Sequence, residues 1–205
     1  SAPARALGVS ISPLSPMLGA EVRGFDVRKA TDAATHQWIV GLLDKFQMVV
    51  FRDQSLLPDE LTAFARRFGP LQPHILDQFH LPGNPEIYIL SNLKEDGRPI
   101  GNANDGITWH TDLTGDEHAL VYTILYSLEV PTSGGDTLFA STQRAWDALP
   151  AERKRELLGK RAIHSYEQLY NSRRRMLDEA GIPNDYQPLT EEQISRYRRD
   201  GFIAL

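Results

Sequence analysis

His110 and Asp112 bring an imidazole and a carboxylate within two residues of each other, in the stretch Trp109-His110-Thr111-Asp112. On a β-strand, positions i and i+2 point to the same face. An imidazole and a carboxylate side by side are two of the three ligands of a 2-His-1-carboxylate facial triad, which leaves positions open on non-haem iron. The competing role is a His and an Asp that hydrogen-bond to each other without touching a metal. A bare H-x-D is common by chance, so its surroundings must carry the argument. Gly101 to Gly106 (GNANDG) is a turn-rich approach suited to a site rim. Val121 to Val130 (VYTILYSLEV) reads as a buried strand rich in β-branched and aromatic residues. Pro131 and Ser133-Gly134-Gly135 end it in a turn, and Asp136 to Ala140 opens a further strand. Trp109 reads as a packing residue beside the metal strand.

The elements that must position this pair are a mixture. Val9 to Ile11 is a short strand. Asp32 to Phe46 is a helix capped at Thr31 or Asp32, with Trp38, Ile39, Leu42, Leu43 and Phe46 at helical spacing. Met48 to Phe51 is a buried strand. Pro58, followed by Asp59 and Glu60, opens a helix that runs to Phe68 and stops at Gly69. Glu86 to Asn92 is a strand, and a helix runs from Pro150 to Gly159. Helices wrapped on a β core are the α+β pattern.

Composition bounds the function. With 205 residues, 41% hydrophobic and 24% charged, the chain suits a soluble globular protein with a real core. A net charge of −5 without a basic block speaks against nucleic acid. No apolar run approaches the ~20 residues a membrane span needs, and no secretory leader is evident. The absence of cysteine removes disulfides, zinc–thiolate sites and thiol nucleophiles, and suits a reducing, cytoplasmic setting.

Several segments together resemble the taurine dioxygenase / TfdA family of Fe(II)- and 2-oxoglutarate-dependent dioxygenases. They are Gly19-Ala20-Glu21-Val22-Arg23-Gly24 with Asp26, Val49-Val50-Phe51-Arg52-Asp53-Gln54, and Phe64-Ala65-Arg66-Arg67-Phe68-Gly69-Pro70-Leu71. Trp109-His110-Thr111-Asp112, Pro131-Thr132-Ser133-Gly134-Gly135-Asp136-Thr137-Leu138 and Arg161-Ala162-Ile163-His164 follow in family order. The resemblance covers roughly residues 8 to 187 and implies one dioxygenase domain over 1–187. Its fold would be a double-stranded β-helix (jelly roll) with flanking helices. It implies Fe(II), 2-oxoglutarate and O2, with His110 and Asp112 as metal ligands and Thr137 donating to a 2-oxoglutarate carboxylate. A strand Thr satisfied by backbone is the competing role for Thr137.

For substrate the resemblance points to His74, Asn104 and Tyr170, with Leu113 as an apolar contact. A solvated loop His is the alternative for His74, and a helix-face or loop residue for Tyr170. The substrate class it implies is a small sulfonate, sulfate ester, or aryloxy or carboxylic acid.

The chain also departs from the pattern. The family's distal His, and the Arg that clamps the far carboxylate of 2-oxoglutarate, have no counterpart in context. Only His118 and His164 follow Asp112. No third ligand is identifiable, and His164 is the candidate that remains. The C-terminal strands of the barrel are expected to be missing, leaving open edges that favour a homo-oligomer. Residues 188–205 (PLTEEQISRYRRDGFIAL) resemble the opening helix of phytanoyl-CoA-type dioxygenases, with a capping box at Thr190 and Gln193. A truncated or recombined non-catalytic relative, and a non-redox jelly-roll binding protein, are the two alternatives to an active dioxygenase.

Overall fold

The computed structural model describes residues 8–74, 76–103, 105–106, 109–112, 120–162, 171, 174–176 and 178–181. The chain divides into two compact units, residues 1–67 with 125–160, and residues 68–124 with 161–205.

In the first unit, strand β1 (Ser10–Pro13) pairs antiparallel with β2 (Ala20–Arg23). Strand β2 pairs in parallel with β3 (Val49–Phe51), across helix α1 (Ala33–Phe46). A parallel pair needs such a crossover. Helix α1 starts where its sequence says: Asp32 accepts from the Thr35 N–H at 2.8 Å, satisfying one of the donors left open at a helix start. It ends at Gln47, in the left-handed region at φ 65°, with its N–H on the Leu43 carbonyl. Thr35, Ile39 and Leu42 form its buried stripe. Around it lie Ala20, Val22, Phe25 and Val27, each at most 5% exposed. Phe25 meets Trp38 edge-on with ring centroids 5.0 Å apart, and Phe51 meets Phe64 at 6.4 Å. Helix α2 (Pro58–Ala65) follows, its first turn fixed by the Leu57 N–H on Glu60 at 2.8 Å.

The same unit holds 125–160. The Tyr126 phenol accepts the Leu56 N–H at 3.0 Å. Helices α3 (Thr142–Ala148) and α4 (Ala151–Leu157) close the stretch. Helix α3 is capped by Ser141, whose hydroxyl accepts from the Arg144 N–H at 3.0 Å.

In the second unit, β4 (His80–Leu81) pairs antiparallel with β5 (Asn84–Tyr88). The short hairpin β6 (Lys94–Glu95) and β7 (Arg98–Pro99) turns at Asp96-Gly97, both with positive φ, the backbone a tight primed turn demands. An isolated parallel bridge then joins Leu90 to Asn102.

Several strand expectations fail. The strand predicted over Glu86 to Asn92 is the shorter β5. Residues 109–112, 121–130 and 136–140 take no strand pairing among the described residues. A strand is a paired element, and no described neighbour supplies the ladder for these segments. Their apolar side chains are correspondingly open: Val121 is 78% exposed, Leu128 82% and Leu138 70%. The described residues form an open three-stranded sheet and two two-stranded pairs rather than a closed barrel.

Candidate metal and substrate site

His110 and Asp112 come together without the strand that the spacing suggested. The backbone there is irregular, with a turn at Asp112, yet His110 Nε2 lies 3.3 Å from Asp112 Oδ1. Both side chains are partly open, at 36% and 27% exposure, so a ligand can reach them. Adjacent ligands on one first-row metal, with bonds of about 2.1 Å at about 90°, place their donor atoms about 3 Å apart. The pair therefore fits two neighbouring positions on one ion. The second carboxylate oxygen is held by the Thr123 hydroxyl, which donates to Asp112 Oδ2 at 2.6 Å. A contact of this kind would orient the carboxylate if it served as a metal ligand. Sequence reading missed Thr123, because nothing local ties it to a residue 11 positions earlier.

Trp109 does not pack beside the pair as expected; it is 70% exposed. Among the described residues no group of three or more His, Cys, Asp or Glu side chains gathers. His164, the remaining candidate for a third ligand, lies outside the described residues, as do Asn104, Leu113 and Tyr170. Thr137 is exposed and belongs to the other compact unit.

His74 is no solvated loop residue. Its ring stacks on Tyr88, with centroids 3.9 Å apart and planes at 27°. Its Nδ1 accepts the Leu76 N–H at 3.1 Å, and its carbonyl accepts from His80 Nε2 at 2.6 Å. Burial pushes its pKa down to about 4; Asp105 and Asp112 pull it upward and His80 adds to the depression. His74 is therefore neutral at neutral pH and sits within electrostatic reach of Asp112. Tyr88 is tethered in turn: Asn102 Nδ2 donates to its phenol oxygen at 2.8 Å. Asn102 is 5% exposed. Its own backbone is fixed where Gly101 passes Ile89. A β-carbon added at Gly101 would lie 2.7 Å from the Ile89 carbonyl oxygen and 2.9 Å from Ser91 N.

An imidazole–carboxylate pair at ligand spacing makes a candidate metal site, with the half-buried His74 within electrostatic reach of its carboxylate. Family relationships agree with that class. The taurine catabolism dioxygenase TauD, TfdA family matches residues 10–201, and the chain belongs to this family. It is 35% identical over 169 residues to the alpha-ketoglutarate-dependent 2,4-dichlorophenoxyacetate dioxygenase of Cupriavidus pinatubonensis, covering 77% of this chain and 58% of that protein. It is 34% identical over 183 residues to the alpha-ketoglutarate-dependent sulfate ester dioxygenase of Pseudomonas putida, covering 86% and 56%. Among solved structures, a taurine dioxygenase from Burkholderia xenovorans aligns with a TM-score of 0.60 at 30% identity, over 74% of this chain and 51% of that one. The chain spans about half the length of the relatives it matches. Dioxygenases of this family use Fe(II), 2-oxoglutarate and O2. Among the described residues no helix is long and apolar enough to cross a membrane.

Proposed function

We propose that the protein acts as an Fe(II)/2-oxoglutarate-dependent dioxygenase on a small anionic organic substrate: a sulfonate, a sulfate ester, or an aryloxy or carboxylic acid. The observation that carries the reading is the 3.3 Å approach of His110 Nε2 and Asp112 Oδ1 within a chain of this family. The fold that goes with it is the jelly roll, in which 121–130 and 136–140 take strand partners. Their exposed apolar side chains support that assignment.

His110 and Asp112 would hold the iron, with Thr123 fixing the carboxylate's second oxygen. When bound, the iron with 2-oxoglutarate and O2 supplies oxidation of the substrate coupled to decarboxylation of 2-oxoglutarate to succinate and CO2. Thr137 would donate its hydroxyl to a 2-oxoglutarate carboxylate. His74, neutral and half-buried, would donate an N–H to the anionic group of the substrate, with Asn104, Leu113 and Tyr170 as further contacts. The dioxygenase domain would span 1–187; residues 188–205 lie outside the described residues.

Succinate release measured with Fe(II), 2-oxoglutarate and a panel of small sulfonates, sulfate esters and aryloxyacids tests the reading. Substrate-dependent succinate that disappears in His110→Ala is the expected result. Only two ligand side chains come together among the described residues, which favours one second reading: a chain that binds metal and substrate without turnover. Iron binding with no succinate from any substrate would replace the first reading by the second.

A further inference from the structure

We propose that Tyr88 is a positioning residue. Stacked on His74 and tethered by Asn102, it keeps the imidazole in the orientation in which the Leu76 N–H selects the tautomer protonated on Nε2, so that the ring offers one N–H to an anionic substrate group. The inference rests on the reading of His74 as a substrate contact.

The hydrogen bonds specify the tautomer. Leu76 N–H donates to His74 Nδ1, so that nitrogen presents its lone pair and a neutral ring carries its proton on Nε2. One bond from a loop amide is a weak guard against ring rotation, which would exchange nitrogen for carbon at both ring edges. The Tyr88 face, 3.9 Å away and nearly parallel, blocks that rotation. The main chain at His74 is pinned separately, because His80 Nε2 faces a carbonyl and must be the donor at 2.6 Å.

Tyr88 is itself locked. Asn102 holds its phenol oxygen at 2.8 Å, and Phe79 meets its ring at 78° with centroids 6.1 Å apart. Asn102 is anchored through its own backbone, whose N–H donates to the Ile89 carbonyl at 2.9 Å. A chain of contacts thus runs from the Leu90–Asn102 bridge through Tyr88 to His74. Burial keeps the imidazole uncharged, against the pull of Asp105 and Asp112. Recognition then depends on where one N–H points rather than on a diffuse positive charge, and a fixed ring matters more than it would for a cation.

The test is nitrogen NMR of histidine-labelled protein, joined to titration with taurine, hexyl sulfate and 2,4-dichlorophenoxyacetate as probes. In the wild type, His74 Nδ1 should report an unprotonated nitrogen. In Tyr88→Leu the two ring nitrogens should move toward averaged values, and the best-bound probe should weaken about ten-fold, as it should in His74→Ala. Tyr88→Phe keeps the ring and drops only the Asn102 tether. It should show a smaller change in the same direction, and it decides the matter if Tyr88→Leu does not fold. An unchanged His74 tautomer and unchanged probe binding in the Tyr88 variants, with His74→Ala weakened, overturns the positioning role alone. Probe binding untouched by His74→Ala, or absent from the wild type, overturns the substrate reading of His74 beneath it.

Discussion

Gly101→Ala should destabilise the second unit by more than a methyl group ordinarily costs. The added β-carbon would sit 2.7 Å from the Ile89 carbonyl oxygen, 2.7 Å from Ile89 Cγ2 and 2.9 Å from Ser91 N. Two of those three neighbours are backbone atoms, so no rotamer change relieves the overlap. The segments must separate, and the hydrogen bonds that join them go: Asn102 N–H to the Ile89 carbonyl at 2.9 Å, and Ser91 N–H to the Asn102 carbonyl at 3.2 Å. Each is worth about 1 kcal/mol net, and overpacking a tight site adds about 1–3 kcal/mol, for a total on the order of 3–5 kcal/mol. Gly83→Ala is the control: φ is +86° but nothing lies within 4 Å of the added carbon, so only backbone strain of about 1 kcal/mol applies. Urea unfolding of both variants, compared at constant slope, measures the difference. Because Asn102 holds Tyr88, the Gly101 variant should also disturb the His74 resonances. A Gly101→Ala protein within about 0.5 kcal/mol of the wild type would refute the close-approach argument.

Further outcomes follow from the same contacts. His74 drops from an ordinary 6.5 to about 4 on folding, so the unfolded chain binds the extra proton. Stability from this residue is full above pH 6.5 and is lost as pH falls toward 4, by at most on the order of 3 kcal/mol; urea midpoints across that range should fall in the wild type and fall less in His74→Ala. Thr123→Val removes the hydroxyl that orients Asp112, and anaerobic Fe(II) titration should show about 10–100-fold weaker binding; unchanged affinity would deny Thr123 that role. Thr137→Ala should weaken 2-oxoglutarate binding by about 1.5–3 kcal/mol in anaerobic calorimetry with Fe(II), and equal affinities would remove Thr137 from the site.

What was legible in the sequence is what local chemistry determines. Asp32 marks a helix start because the amide it satisfies lies within one turn, Pro58 marks another because its fixed φ and missing N–H suit the first helical position, and the Ile39–Leu42 stripe declares its buried face by spacing alone. Strands 121–130 and 136–140 were expected from their apolar, β-branched content, but strand formation depends on a partner that content does not supply. The His110–Asp112 pair was found through the right residues and the wrong backbone: the side chains converge across an irregular turn rather than along a strand. The support around the site was not legible. Thr123 reaches Asp112 across 11 residues, and Tyr88 stacks on His74 across 14, contacts that only the folded chain creates. The hairpin at Asp96-Gly97 carries its signal in the turn dipeptide alone.

The central claim is that His110 and Asp112 together hold iron. Elemental analysis of the protein loaded anaerobically with Fe(II) and freed of excess metal tests it most directly. The wild-type chain should retain iron approaching about one ion per chain, and His110→Ala and Asp112→Ala should each retain almost none, since either change removes a ligand from a small set. Iron content that is the same in the wild type and in both variants would contradict the assignment.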